Sequence, residues 1–156
     1  MTAVKARPAS AGTAYADDFY TWTQEQGARL RSGDLSGLDR ENLAEEIESW
    51  GKSQFASLVS ALRVVLLHML KFDHQPGKRT RCWMISIATH RIQVAEELSE
   101  SPGLKRRVVE AITKAYRIAR LEAAKVTRLA VSRFPETCPY TYQDIMDRHF
   151  AIDSEA

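Results

Sequence analysis

The fold is decided by residues 38–83, which read LDRENLAEEIESWGKSQFASLVSALRVVLLHMLKFDHQPGKRTRCW. Asp39 is a candidate helix cap, and Glu41 follows in the first turn, where the helix dipole favours negative charge. From Leu43 to Phe72 apolar residues recur at steps of three and four, and the later part is apolar on nearly every side. A helix that is apolar all round belongs at the centre of a bundle. We therefore predict one long central helix over residues 39–72. Its buried side chains are predicted to include Leu62, Val65, Leu66 and Met69.

The rest of the chain predicts further helices around this one. Apolar residues at helical spacing indicate helices over residues 19–30, 80–99, 101–131 and 142–150, separated by turns rich in Gly, Pro and Ser. No segment alternates apolar and polar residues as a strand does. We predict an all-α fold, a single-domain helical bundle of about four main helices plus a short C-terminal helix, over residues 15–152. Residues 1–14 are small, polar and weakly basic, which predicts a disordered N-terminal tail.

Composition indicates an ordinary globular protein of 156 residues, with 44% hydrophobic and 27% charged residues and a net charge of +2. Cys82 and Cys138 are not spaced for a metal knuckle or a redox pair, which favours free thiols in a reducing compartment. No uninterrupted apolar run reaches the roughly 18 residues that span a bilayer. We therefore expect a cytoplasmic protein without membrane contact.

Glutamates and histidines of two successive helices form the first candidate site. Glu41, Glu45 and Glu48 share one helix face, while His68 and His90 lie on the inward stripes of successive helices. Together they could hold a divalent cation or move a proton. Helical di-metal sites, however, use Glu-x-x-His on facing helices, and this chain has none. We therefore predict no catalytic residue, no metal and no cofactor.

Structural pairing is the alternative role for these carboxylates. We place the three glutamates beside the apolar stripe, where like charges are tolerable only with cationic partners. Lys52, one turn after Glu48, is the nearest cation in sequence, and arginines of the next helix and of the turn before it are the nearest from other helices. The prediction is that Glu45 or Glu48 forms a partly buried salt bridge with Arg79, Arg81 or Arg91.

A basic face is the second candidate site. Between Leu104 and Arg133 there are nine Lys or Arg residues against only Glu110 and Glu122. Such a face can follow a phosphate backbone or an acidic protein surface, or can simply be solvated. The candidate residues, all away from the apolar stripe of their helix, are Arg106, Arg107, Lys114, Arg117, Lys125 and Arg128.

Several blocks of this sequence together resemble a bacterial helical family catalogued as domain of unknown function number 29. The blocks are Asp18-Phe19-Tyr20-x-Trp22, the run Leu38–Gly51, His68-x-Leu70-Lys71 with Gln75-Pro76, and Phe134-Pro135-x-x-Cys138-Pro139-Tyr140. They spread over nearly the whole domain. The resemblance implies an all-helical fold and supplies no activity.

The sequence thus favours a small protein-interaction module, binding a protein partner or forming a homo-oligomer. The first alternative is a nucleic-acid-binding protein that uses the basic face of residues 105–133. The second is a metal-binding or enzymatic bundle built on Glu45, Glu48, His68 and His90, and an enzyme is the less favoured class.

Overall fold

A computed structural model describes residues 12–152 of the chain, and these residues are helical without any β-strand. The all-α prediction is confirmed. The α-helices are α1 (Phe19–Ser32), α2 (Arg40–His74), α3 (Arg81–Glu100), α4 (Val108–Thr127) and α5 (Tyr142–Asp147). The chain divides into two compact units between Trp50 and Gly51, so the first turns of α2 belong to one unit and the remainder to the other. Most of the predicted N-terminal tail, residues 1–11, lies outside the described residues.

The first unit is organised around Trp22. Asp18 caps α1 by accepting from the Thr21 N–H at 3.0 Å, and Gly33 ends the helix in the left-handed conformation at φ 76°. The buried Trp22 indole donates to the Asp39 carboxylate at 3.1 Å. The Tyr15 ring packs edge-on against the Trp22 ring, with centroids 5.0 Å apart. Asp39 also accepts from the Asn42 N–H at 3.4 Å, which bears out its predicted capping role.

The core of the second unit is built on α2. The four side chains predicted to be buried, Leu62, Val65, Leu66 and Met69, are each 0% exposed. Against them pack Ile87, Val94 and Leu98 of α3 and an alanine-rich stripe of α4. By length and composition alone, α2 could also cross a membrane, since one 18-residue window of it has a mean hydropathy of 1.6. Half of that window is buried inside the fold, as in an ordinary core helix.

The predicted limits of the last two helices need correction. Residues 102–107 form a 3₁₀-helix, and the α-helical part of the fourth segment runs only from Val108 to Thr127. It ends early because Arg128 is left-handed, with φ 59°, and the Thr127 hydroxyl turns back to the Ala123 carbonyl at 2.6 Å. The last helix ends at Asp147 rather than at Phe150. There the chain turns so that the Phe150 ring packs edge-on against the Phe72 ring.

A C-terminal strap, residues 128–141, closes the second unit. Its Phe134 is 1% exposed and packs against the His74 ring at a centroid distance of 4.6 Å. The Tyr116 hydroxyl donates to the Pro135 carbonyl at 2.7 Å, and the Arg120 guanidinium donates to the Phe134 carbonyl at 3.1 Å. Side chains of α4 therefore satisfy main-chain carbonyls of a segment too rich in proline to make its own ladder.

Candidate functional site

The acidic block of α2 lies on a solvated face. Glu41, Glu45 and Glu48 are all exposed. The apolar stripe of this part of α2 is not core either, since its Ile47 and Trp50 are 70% and 72% exposed. The glutamates therefore adjoin no buried surface, so water solvates them and no cationic partner is needed. The predicted partly buried salt bridge of Glu45 or Glu48 is therefore wrong.

Two of the arginines proposed as its partners are used elsewhere. The Arg79 guanidinium donates to the Phe72 carbonyl at 3.0 Å and lies 4.4 Å from the centroid of the Phe72 ring. The Arg91 guanidinium donates to the carbonyls of Ile145 at 2.6 Å and Asp144 at 3.2 Å. Arg91 therefore fastens α5 to α3 by satisfying carbonyls of the short helix.

The two inward histidines each form a hydrogen bond within their own helix. His68 and His90 are half-buried, and the Nδ1 of each donates to the carbonyl four residues earlier, with a distance of 2.8 Å in both cases. Burial lowers the pKa of His68, the bond to the Val64 carbonyl opposes this, and the charges of Lys71 and His90 lower it further. His68 is thus held neutral, with Nε2 left as the atom that can accept a proton or a ligand.

Metal-binding geometry is absent from the part of the chain that the structure describes. Within residues 12–152, no group of three or more His, Cys, Asp or Glu side chains is close enough to hold an ion. The absence of a metal and of a cofactor stays a prediction. Burial raises the pKa of the Cys138 thiol, which packs against the core, so this residue lacks the setting of a nucleophile.

A polar network around Asp73 escaped the sequence analysis. The Arg148 guanidinium donates two hydrogen bonds to the Asp73 carboxylate, of 2.6 and 2.9 Å, and the Tyr140 hydroxyl donates to the same carboxylate at 2.7 Å. Burial raises the pKa of Asp73, but these bonds outweigh it and the net shift is downward. Tyr140 belongs to the Phe-Pro-x-x-Cys-Pro-Tyr block of the family resemblance, and this block was the one sequence signal that could have pointed to the network. The network holds the C-terminal strap against the end of α2.

The basic face is exposed throughout, but its members differ. Arg107 and Lys114 both contact the Glu110 carboxylate, at 2.9 and 3.0 Å, and lower the pKa of Glu110 to about 2. The other candidates take part in no ion pair among the described residues. Those are Arg106, Arg117, Lys125 and Arg128.

An apolar groove adjoins this face and was also missed. It is an open groove between α2 and α4 with a volume of about 340 Å³, and will be called the Phe55 groove. Its lining residues are Phe55, Ala56, Val59, Ser60, Arg63, Lys114 and Ile118. The Arg107 guanidinium lies 3.7 Å from the centroid of the Phe55 ring and the Lys114 ammonium lies 5.0 Å from it. The apolar floor of the groove and its cationic rim therefore meet at the Phe55 ring.

Taken together, these features define an all-helical protein. Most of its internal polar groups hold the helices and the C-terminal strap in place, and the exposed side of α4 carries cations beside an apolar groove. The chain belongs to the family described as Domain of unknown function DUF29, whose model matches residues 14–151. The predicted resemblance is confirmed. No curated protein and no solved structure matches the chain.

Proposed function

We propose that this protein is a protein-interaction module that binds an acidic amphipathic helix of a partner protein in the Phe55 groove. The observation that carries the proposal is the pair of cations over an apolar floor. Such a surface complements a ligand that offers apolar side chains flanked by carboxylates. The two free thiols, Cys82 and Cys138, support a reducing cytoplasmic setting for the module.

The floor of the groove fits the spacing of a helix. Phe55, Val59 and Arg63 follow one another at intervals of four along α2, so the groove extends for about 12 Å, or roughly two helical turns. Across it, Lys114 and Ile118 have the same interval on α4. The Ile118 side chain is 47% exposed and supplies apolar area that a partner can cover.

The rim of the groove can exchange its anion. Arg107 and Lys114 already hold one carboxylate, that of Glu110, whose side chain is 44% exposed. An ion pair this exposed is worth little in water, so a partner carboxylate can join or replace Glu110 at small cost. Arg63 is bound to Glu122 at 2.6 Å and closes the other end of the groove.

A pair of synthetic peptides tests the proposal. Each has about 14 residues, four helical turns, with leucines at helical spacing and either glutamates or lysines at the flanks. We expect the glutamate peptide to bind and to shift the NMR signals of Phe55, Val59 and Ile118. The lysine peptide is expected not to bind.

Variants of the groove complete this test. Ile118→Glu should weaken glutamate-peptide binding by about tenfold or more, because it places a carboxylate beside the incoming ones. Val109→Glu is the matched control, since Val109 is 78% exposed on the same helix, falls opposite Ile118 on a helical wheel and is outside the groove lining. Equal binding of both peptides, or equal loss in both variants, would contradict the proposal.

Nucleic acid is the second candidate partner, favoured by the exposed cations without an ion pair among the described residues. If it binds, affinity for generic duplex DNA should fall steeply between about 50 and 200 mM salt. Arg117→Glu combined with Arg128→Glu should abolish binding, while Ile118→Glu should have a far smaller effect. No detectable binding at low salt would remove this candidate and leave the groove proposal untouched.

A further inference from the structure

The outward side of α3 carries a stripe of isoleucines and small residues. Ile85 and Ile92 are 57% and 61% exposed, and Ala88 and Thr89 between them are exposed as well. Together with the methyl groups of Ala88 and Thr89, the two isoleucines form a largely apolar strip, and contiguous exposed apolar surface of this kind can mark an interaction site. The helix turns its other side to the core of its unit, where it buries Ile87, Val94 and Leu98.

Charged residues bracket this stripe. Arg81 stands one turn before Ile85, and Glu96 stands one turn after Ile92, and both are exposed. On a helical wheel all six residues fall within a sector about 100° wide, because the steps between them are three, four and one. The strip from Arg81 to Glu96 is about 22 Å long. Along its axis it reads cation, isoleucine, alanine, threonine, isoleucine, anion.

This pattern is complementary to itself in the antiparallel direction. It is centred on the peptide bond between Ala88 and Thr89: the isoleucines lie three residues from this central pair, and Arg81 and Glu96 lie four residues further out. A second α3 laid antiparallel across the first would set isoleucine on isoleucine, alanine on threonine, and each Arg81 on the Glu96 of the other copy. A parallel copy would oppose like charges instead.

We propose that a second copy of this chain docks on the outer face of α3, forming a two-fold symmetric dimer through Arg81, Ile85, Ala88, Thr89, Ile92 and Glu96. A two-fold interface uses the same patch on both copies, so the patch must match itself when reversed, as this one does. The isoleucines on each side of the centre provide the apolar area. The dimer does not involve the Phe55 groove, so either proposal can fail alone.

The centre of the strip suits a close helix crossing. Ala88 is small, so the Thr89 side chain of the other copy can pack over it without forcing the two helices apart. A threonine within a helix can direct its hydroxyl to the carbonyl four residues earlier, which leaves its methyl group free for the contact. Thr113 and Thr127 of α4 make this bond. If Thr89 adopts the same rotamer on burial, it does not require a polar partner on the other copy.

The dimer is tested by sedimentation equilibrium of the full chain. A single helix pair is a small interface, so we expect a dissociation constant in the micromolar range. Ile92→Glu should weaken the dimer by about a hundredfold, because it opposes apolar Ile85 with a charge in each half of the interface. Val109→Glu is the control: Val109 is 78% exposed on α4, and its substitution should leave the constant unchanged.

A charge exchange tests the antiparallel register. Arg81→Glu alone and Glu96→Arg alone should each weaken the dimer by about five- to tenfold, because each opposes like charges. The double variant should recover the original constant within about twofold, since each new pair is again opposite in sign. Circular dichroism is the check that each variant is folded.

Three results would overturn the proposal. The first is a monomer at all concentrations up to about 1 mM, where even a weak dimer would form. The second is a dimer that Ile92→Glu does not weaken. The third is a double charge variant no tighter than either single one, which would exclude the antiparallel arrangement.

Discussion

Replacing Leu66 with alanine is expected to lower the free energy of unfolding by about 2–5 kcal/mol. Leu66 is 0% exposed and lies among the side chains of α2, α3 and α4 that form the core of the second unit. The substitution removes buried methyl groups and leaves a cavity that the surrounding helices can only partly fill. Urea denaturation followed by circular dichroism measures the loss.

The matched control for Leu66→Ala is Val109→Ala. Val109 is also an aliphatic residue on a helix of the second unit, but it is 78% exposed. Its truncation should change the free energy of unfolding by no more than about 0.5 kcal/mol. If Leu66→Ala were as mild as this control, α2 would not form the centre of the core.

Substitution of Asp73 by asparagine should cost about 1.5–3 kcal/mol near neutral pH, which is typical of hydrogen bonds to a charged group. The Asp73 carboxylate is 26% exposed and accepts bonds from Arg148 and Tyr140. Its loss leaves the C-terminal strap and the chain after α5 with a weaker hold on α2. Equilibrium unfolding of the two proteins at several pH values gives the difference directly.

The pH dependence of this difference has a defined sign. The folded pKa of Asp73 is lowered, so the unfolded chain takes up the proton first as the pH falls. The stabilisation is therefore complete above the unfolded pKa of about 3.9 and disappears as the pH falls through the lower folded value. Wild type and Asp73→Asn should differ by a constant amount between about pH 5 and 7 and converge in acid.

Two further variants separate the network from a general charge effect. Asp147→Asn removes an exposed carboxylate from α5 and should leave the stability and its acid profile nearly unchanged. Tyr140→Phe removes one of the bonds to Asp73 and should cost about 1 kcal/mol. A gap between wild type and Asp73→Asn that persists undiminished in strong acid would show that the ionised carboxylate is not the source of the stability.

The candidate sites show how far sequence reasoning reached. Periodicity placed His68 and His90 on the inward stripes of successive helices, and both are half-buried there. It failed for Glu45 and Glu48, because we took the neighbouring apolar stripe to be core, whereas its Ile47 and Trp50 are 70% and 72% exposed. The Phe55 groove escaped notice because Arg107 and Lys114 are far from Phe55 in the chain, and a local pattern carries no information about such a meeting.

Local pattern by itself determined the helical fold, the approximate helix limits and the four buried residues predicted for α2. These follow from hydrophobic spacing, capping side chains and proline, all of which act within a few residues of one another. Only the tertiary structure decided the partners of Asp73, since Tyr140 and Arg148 are 67 and 75 residues away. Those contacts depend on where α5 and the strap come to rest, and that is set by packing of the whole unit rather than by any one segment.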